Sequence, residues 1–319
     1  MKVLVLTNMY PSPQEPWYAP FVAEQVTALE AEGIDCDVLS FDGRRDRLEY
    51  LRAVRRLRRR LKEERYDLMH AHYGLSGAVA LLARSRLPTV TTFWGSDTGY
   101  VRWQGWVSRV VARRTTPIFV ACENAKRLGL SEAVVIPSAV DLTLFQPRDQ
   151  RVARRELDWP LDAPIALFPG ARANRVKRAD LFERALALAR VQAPRLLGMV
   201  IEGMSRKQVV SAMNAADVLL MTSDSEGSPL AVKEALACMT PVVAVPVGDV
   251  PETIGGLPGC SVVPRDPKAL ADALLAALHS GRPAELRARA ERYSSTRIAQ
   301  EVIAVYERVV STGHDGTAQ

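Results

Sequence analysis

Short apolar segments alternate with amphipathic helical segments along most of the chain, and this alternation limits the fold more than any other feature. The predicted strand 2–6 contains an uninterrupted apolar run from residue 3, as expected of a strand buried on both faces of a sheet. Strands that alternate with helices form β-α-β units with parallel strands. The predicted strands cover 2–6, 35–41, 66–71, 88–93 and 117–121, and then 164–169, 196–202, 217–221, 241–245 and 260–263.

A segment rich in proline and charged residues, 137–163, interrupts this alternation. We therefore predict two doubly wound, Rossmann-like α/β domains, over residues 1–147 and 148–293, with a ligand cleft between them. An amphipathic helix is expected over 294–310, and residues 311–319 are expected to form a disordered tail.

The composition excludes some classes of protein. The net charge of +6 favours anionic partners without naming one. Nucleic acid binding is not expected, because no recognised nucleic-acid fold or aromatic RNA-binding motif accompanies the charge. No apolar stretch is long enough to span a bilayer, and the first residues lack the features of a signal peptide. The four cysteines lack metal-ligand spacing, which is typical of free thiols in a reducing compartment, so we expect a cytoplasmic protein.

The segment SEGSPLAVKEALA, residues 225–237, carries the most specific pattern and follows a predicted strand. Pro229 suits the first turn of a helix, and Gly227 lets the backbone come close to a ligand. Glu226 then lies on the loop and Glu234 in the second helical turn. Such a loop aims backbone N–H groups at an anion beside the carboxyl ends of the strands, which suits a nucleotide diphosphate.

Together with the following TPVVA, this segment resembles the donor-site signature of retaining family 4 of the GT-B glycosyltransferases. The resemblance covers about residues 1–310 and includes FPGARANRVKRADLFERAL, VVIPSAVDLTLFQP and YDLMHAHYGLSG. It implies the GT-B fold, with an acceptor-side first domain, a nucleotide-sugar donor domain and a terminal helix that packs back on the first domain. The implied activity is transfer of a sugar, with retention, from a nucleotide diphosphate sugar to an acceptor in polysaccharide, glycolipid or other glycoconjugate synthesis.

The resemblance also implies roles for matching residues. Arg172 and Lys177 would neutralise the leaving diphosphate, and Glu234 would accept hydrogen bonds from the ribose hydroxyls. Glu226, a catalytic candidate, would contact the transferred sugar. The remaining donor-binding positions would be Gly227, Ser228, Pro229 and Leu230. No metal or other cofactor is implied, because fixed cations and helix N–H groups stabilise the phosphate and a carboxylate stabilises the positive sugar ring.

The first half departs from the family pattern. TTFWGSDTGY resembles a stretch that usually reads T-F-H-G-S-D, with Trp94 in place of the histidine that hydrogen bonds the sugar. Trp94 is either a stacking platform for a sugar or acceptor, or a sign of lost activity. Asp97 is retained as a catalytic candidate. Trp103 would border an acceptor groove or pack. Ala19 replaces a frequent glycine of a donor-facing loop, so we expect that loop to differ.

Two histidines flank Ala71 in a predicted strand. We expect His70 and His72 on opposite faces, one in the core and the other open to the ligand. His72 is the preferred catalytic candidate.

Residues 44–65 contain eleven Arg and Lys against four Asp and Glu, a local balance of +7. One interpretation is peripheral contact with an anionic membrane, which would suit a lipid-linked acceptor. The other is a core-facing stripe formed by Leu48, Leu51, Val54, Leu57 and Leu61 under a solvated arginine face.

Two other functions remain open at this point. One is a catalytically weakened relative that binds nucleotide sugar or supports a partner enzyme, as Trp94 suggests. The other is an epimerase of GT-B shape, which fits less well because two glutamates eight residues apart in EGSPLAVKE form a transferase pattern. The donor's base and sugar, and the acceptor, are not identified by the sequence.

Overall fold

The structure, a computed structural model, describes residues 1–12, 14–15, 18–44, 46–98 and 101–315, without the side chains of 313–315. The strands are β1 (Lys2–Thr7), β2 (Asp35–Ser40), β3 (Leu68–His72), β4 (Thr89–Phe93), β5 (Thr116–Phe119), β6 (Val134–Val135), β7 (Ile165–Phe168), β8 (Leu197–Val200), β9 (Val218–Met221), β10 (Val242–Ala244) and β11 (Ser261–Val262).

The helices lie between these strands and at the C-terminal end. They are α1 (Pro20–Ala31), α2 (Glu49–Glu63), α3 (Gly74–Ala83), α4 (Arg102–Ala112), α5 (Cys122–Arg127), α6 (Gln150–Glu156), α7 (Ala179–Ala189), α8 (Arg206–Ala215), α9 (Leu230–Ala237), α10 (Val250–Ile254), α11 (Pro267–Leu278), α12 (Ala284–Ala290) and α13 (Ser295–Asp315). Short 3-10 helices cover Arg175–Lys177 and Glu291–Tyr293. In the described part of the chain, none of these helices combines the length and apolarity that a bilayer crossing needs.

The chain divides into two compact units, each built around a parallel sheet. Unit 1 comprises Met1–Ser138 and the chain from Ser295 onward, and unit 2 comprises Ala139–Ser294. The strand order is β2-β1-β3-β4-β5-β6 in unit 1 and β11-β10-β9-β7-β8 in unit 2. The predicted class of two doubly wound parallel α/β sheets is therefore confirmed.

Unit 2 begins nine residues earlier than the predicted domain boundary. Phe145 is fully buried in the core of unit 2, beside residues of β7 and β9. The proline pattern of the linker could not show which core this ring joins.

The last helix, α13, belongs to unit 1 and packs against α1. Gln300 Nε2 donates to Glu32 Oε2 at 3.0 Å, just beyond the end of α1. The helix runs five residues past its predicted end, and the Thr312 hydroxyl donates back to the Arg308 carbonyl at 3.0 Å. Residues 311–315 are therefore helical, and the remaining four residues of the predicted tail lie outside the described residues.

Each sheet has a point where its strand order reverses. In unit 1, β1 lies between β2 and β3, and in unit 2, β7 lies between β8 and β9. Ligands of such sheets bind outside the carboxyl ends of the strands at this switch point, here β1 with β3 and β7 with β9. The loops that follow these strands hold most of the predicted site residues.

Candidate functional site

The backbone of Lys177 is fixed by the loop that follows β9. The Asn174 side chain caps the 3-10 helix by accepting from Val176 N at 3.1 Å. The hydroxyl of Thr222, the residue after β9, donates to the Lys177 carbonyl at 2.9 Å, and Asp224 N donates to the Val176 carbonyl at 2.8 Å. The two loops on either side of the switch point of unit 2 are therefore tied together by their backbones.

The Lys177 side chain meets Glu226, its counterpart on the other loop. Lys177 Nζ donates to Glu226 Oε1 at 2.7 Å, with both side chains largely shielded from solvent. The structure thus brings together a predicted phosphate-binding cation and the predicted sugar-contacting carboxylate. Both lie beside the start of α9, where Pro229 is the N-cap and no side chain caps the helix among the described residues.

Arg172 lies elsewhere. Its guanidinium forms an ion pair with Glu183 of α7, and about half of the Arg172 side chain is exposed. Among the described residues, no contact joins the Arg172 guanidinium to the turn at 226–230. The expectation that Arg172 and Lys177 converge on that turn is met by Lys177 only.

Glu234 has a cationic partner that the sequence did not reveal. It is nearly fully buried in α9, and its Oε1 accepts from Arg206 Nη1 at 2.6 Å. The Arg206 guanidinium also lies over the ring of Phe145, 4.8 Å from its centroid. Arg206 is the first residue of α8, so the ion pair joins the start of α8 to the second turn of α9.

Lys233, the residue before Glu234, forms a buried polar cluster with Ser228 and Asp249. Its side chain is fully buried, and Nζ lies 2.6 Å from Asp249 Oδ2 and 2.7 Å from Ser228 Oγ. Ser228 Oγ donates to the same Asp249 oxygen at 2.6 Å. Burial lowers the pKa of Lys233, and the adjacent Asp249 carboxylate opposes that shift. The cluster fixes residues 226–230, the predicted donor loop, to the segment that follows β10.

The backbone of that segment packs directly against the backbone of the predicted donor loop. Gly248 has φ +54°, and a Cβ placed on it would lie 2.0 Å from the Gly227 carbonyl oxygen. Asp249 N donates to that same carbonyl at 3.0 Å. Only glycine fits at position 248, because both the backbone angle and the space demand it.

In unit 1, both histidines of β3 lie on the same face. Residues two apart in a strand share a face, and the rings of His70 and His72 lie 4.2 Å apart. The prediction of opposite faces is therefore wrong. Both rings are fully buried, so His72 is shielded from solvent. His70 contacts the hydroxyls of Tyr306 at 2.6 Å and Thr92 at 2.7 Å.

Trp94 closes over His72. The indole Nε1 donates to His72 Nδ1 at 3.3 Å, the two rings stack, and Phe21 packs against the indole at 4.5 Å. The His72 proton then lies on Nε2, which has no partner in the part of the chain that the structure describes. Burial lowers the pKa of His70 to about 3, and burial together with His70 lowers that of His72 well below its usual value. Both rings are neutral at pH 7.

Asp97 holds two loops of unit 1 together. Its Oδ2 accepts from Gly74 N at 2.9 Å, at the start of α3, and its Oδ1 accepts from Gly95 N at 3.1 Å. Burial raises the pKa of Asp97 to about 6, and the backbone N–H donors oppose that shift. In this arrangement the carboxylate holds the backbone at Gly74 and at Gly95 in place.

Two residues at the switch point of unit 1 have strained backbones. Ala19 adopts the left-handed conformation, with φ 49° and ψ 50°, directly before Pro20. Tyr73, which follows β3, has φ 75° and ψ 148°. Alanine therefore keeps a left-handed conformation at the position where glycine was expected, at a cost of about 1–2 kcal/mol. Such strain concentrates at functional sites.

Trp103 lies apart from this cluster, on α4, with 56% of its surface exposed. The alternative in which it packs into the core is therefore wrong.

The sequence analysis did not single out Arg206, Lys233, Gly248 or Asp249. A usable signal was available for the last two, because the sequence VGDVPE follows a predicted strand at the carboxyl edge of the sheet. Arg206 carried no such signal, since it lies 28 residues before its partner Glu234.

Comparison with known proteins finds similarity over both units. Residues 198–297 match the family "Glycosyl transferases group 1", and residues 2–135 match the "Glycosyl transferase 4-like domain". The D-inositol 3-phosphate glycosyltransferase of Xylanimonas cellulosilytica is 30% identical, over 76% of this chain and 72% of that enzyme. TuaC of Bacillus subtilis, provisionally described as a teichuronic acid biosynthesis glycosyltransferase, is 27% identical, over 86% and 88%. The structure of Anabaena HepE in complex with UDP-glucose aligns with a TM-score of 0.72 and 16% identity, over 97% of this chain and 100% of HepE.

Proposed function

Because the chain belongs to the glycosyl transferases group 1 family, retaining family 4, and is a nucleotide-sugar-dependent glycosyltransferase, we propose that the switch point of unit 2 is its donor site. In this proposal Lys177 neutralises the diphosphate as the anomeric bond breaks, and Glu226 contacts the transferred sugar. The observation that supports the proposal is the ion pair between these two residues, in which Lys177 Nζ and Glu226 Oε1 lie 2.7 Å apart.

The chemistry of the transition state supports this assignment. Negative charge grows on the leaving phosphate while positive charge grows on the sugar ring. A lysine ammonium and a carboxylate, held on two tied loops, carry charges opposite to the two that develop. The uncapped start of α9 adds backbone N–H groups for an anion.

Arg172 joins the donor site only after it leaves Glu183. That ion pair is exposed, and such pairs contribute about 0–1 kcal/mol, so a bound diphosphate competes with it easily. We assign Glu234 to the ribose hydroxyls, with Arg206 orienting the carboxylate from behind.

UDP-glucose is the first donor to test, because the HepE structure holds it. For the acceptor, unit 1 offers a polar pocket of about 140 Å³ at the carboxyl ends of β1 and β2. Its lining includes the Glu15 and Asp42 carboxylates and the Tyr10 and Tyr18 phenols, which suit a polyhydroxylated acceptor such as a sugar. We place the reaction in the cytoplasm, where the four free thiols stay reduced.

The test compares Lys177→Met with Arg175→Met, a neighbouring exposed cation of the same 3-10 helix. With UDP-glucose or another nucleotide diphosphate sugar as donor, Lys177→Met should lower kcat/KM for donor consumption about 10²–10³-fold, the usual effect of removing one preorganised charge. Arg175→Met should stay within about threefold of the wild type, as expected of a surface change.

A Lys177→Met variant as active as Arg175→Met would contradict the proposed donor site. Glu226→Gln extends the test, because it keeps the side chain's shape and removes its charge. Equal background rates in wild type and Glu226→Gln for all donors would instead favour the catalytically weakened relative.

A further inference from the structure

Helix α4 of unit 1 exposes two tryptophans on one face. Trp103 and Trp106 are 56% and 67% exposed, whereas the tryptophan of unit 2, Trp159, is 9% exposed. Val101, directly before the helix, is 41% exposed. The core side of the helix is formed by Ser108, Val111 and Ala112. Single exposed apolar residues are ordinary, but two indoles three residues apart form a contiguous surface.

Arginines flank these indoles on the same face. At 100° per residue, one arc of about 120° holds both indoles and their neighbours. Its members are Arg102, Trp103, Trp106, Arg109, Val110 and Arg113, which we call the Trp/Arg face.

The Trp/Arg face has no acidic neighbour in sequence. From residue 98 to residue 122 the chain contains four arginines and no aspartate or glutamate. Among the described residues, Arg102 and Arg113 form no ion pair, and Arg109 donates only to the Arg127 carbonyl, at 3.3 Å. The positive charge of the face is therefore uncompensated.

Helix α2 is more basic in sequence, but four of its six arginines form ion pairs with carboxylates among the described residues. Arg52 contacts Asp46 at 2.7 Å, Arg56 contacts Glu49 at 2.8 Å, and Arg60 contacts Asp37 at 2.9 Å. Its Val54 and Leu57 are buried, although Leu48 and Leu51 are exposed. Local charge alone would favour α2 as the surface for an anionic partner. Unpaired charge together with exposed indoles favours α4.

We propose that the Trp/Arg face of α4 docks unit 1 onto an anionic lipid bilayer. Indoles prefer the boundary between headgroups and acyl chains, and arginines bind lipid phosphates. Charge complementarity favours this occupant, because the face combines apolar rings with cations that have no carboxylate partner among the described residues. The proposal is independent of the donor site.

The test is co-sedimentation of the full chain with vesicles. One set contains phosphatidylglycerol and phosphatidylcholine, and the other contains phosphatidylcholine alone. The wild type should pellet with the anionic vesicles, and less so as salt rises. Trp103→Ser/Trp106→Ser should lower the partition coefficient by about tenfold or more. It should also abolish the blue shift of tryptophan emission on vesicle binding.

Two matched controls distinguish the effect of this face from the effects of net charge and of general surface hydrophobicity. Leu48→Ser/Leu51→Ser removes equally exposed apolar groups from α2 and should leave binding unchanged. Arg102→Gln/Arg113→Gln should lower the partition coefficient about thirtyfold, and Arg52→Gln/Arg56→Gln, which removes paired charges, should lower it much less. Unchanged unfolding midpoints show that the variants fold.

Three results would overturn the proposal. The wild type could remain in the supernatant with anionic vesicles, which would leave a protein partner as the occupant of the face. The tryptophan variant could bind as well as its α2 control. The two arginine pairs could have equal effects, which would mean that net charge alone determines binding.

Discussion

At the switch point of unit 2 the side chains are charged and paired, whereas at the switch point of unit 1 they are mostly neutral and aromatic. Lys177 with Glu226 and Lys233 with Asp249 lie on either side of the proposed donor loop in unit 2. The corresponding place in unit 1 holds a neutral His72 under Trp94. One parallel-sheet geometry thus serves two environments, one suited to an anion and the other to uncharged hydroxyl groups and rings.

The two switch points are alike in their backbone strain. In unit 2, Gly248 has a positive φ at its close approach to the proposed donor loop, and Arg178, the residue after Lys177, has φ 56°. In unit 1, Ala19 and Tyr73 have positive φ and also carry side chains. The contrast between the two switch points therefore lies in the charge of their side chains.

The largest expected effect is on the buried ion pair of unit 2. Lys233→Met should lower the free energy of unfolding by about 3–5 kcal/mol, because Asp249 then keeps a shielded charge without its cation. Urea denaturation measures this loss. The double variant Lys233→Met/Asp249→Asn should recover part of it, and a loss below about 1 kcal/mol in the single variant would contradict the role given to this pair.

The next effect concerns Asp97, the charged exception in unit 1. Its pKa is about 6 in the fold against an ordinary 3.8, so the folded chain holds more protons between these values and the unfolding free energy falls as pH rises. The stability of the wild type relative to Asp97→Asn should therefore fall by roughly 2–2.5 kcal/mol from about pH 4 to pH 7. Denaturation of both proteins across this pH range gives the difference in their unfolding free energies. A difference that does not change with pH would refute the raised pKa of Asp97.

A smaller effect tests the indole that covers His72. Trp94→Phe keeps an aromatic ring but removes the N–H donor, leaving a buried imidazole without that bond, at a cost of about 1–3 kcal/mol. Trp159→Phe in unit 2 is the control, since the described residues accept no hydrogen bond from its indole. Equal losses in the two variants, measured by thermal unfolding, would mean that the His72 contact contributes nothing.

The smallest effect tests the strain at Ala19. Ala19→Gly should stabilise the protein by up to about 1 kcal/mol, because glycine adopts the left-handed conformation without the clash of a Cβ. Ala28→Gly, the same substitution inside α1, should destabilise it by about 1 kcal/mol. The two midpoints should therefore move in opposite directions, and a shift of the same sign would show that Ala19 is not strained.

The sequence predicted the sheets well because apolar runs report burial directly. The strand expected over 217–221 is Val218–Met221, and the one over 35–41 is Asp35–Ser40. Local patterns were weaker at the ends of elements. The terminal helix continued past residue 310, where the hydroxyls of Ser311 and Thr312 donate to the Arg308 carbonyl of the preceding turn.

The candidate site was predictable where one motif contained it and unpredictable where it depended on distant partners. Glu226 followed from the loop after a strand, whereas the Arg206 partner of Glu234 depends on how α8 packs beside α9. The error at His70 and His72 had another cause, since the period of a strand places such residues on one face. The burial of His72 depends on Trp94, 22 residues further along the chain.

The contact between His70 and Tyr306 joins residues 236 positions apart, across the whole of unit 2. During synthesis the ribosome releases every strand of unit 1, and then all of unit 2, before α13 emerges. Unit 2 is contiguous and is able to complete its core on the nascent chain, whereas the imidazole of β3 lacks its phenol until α13 has emerged. Unit 1 is therefore completed after unit 2, although its strands are made first.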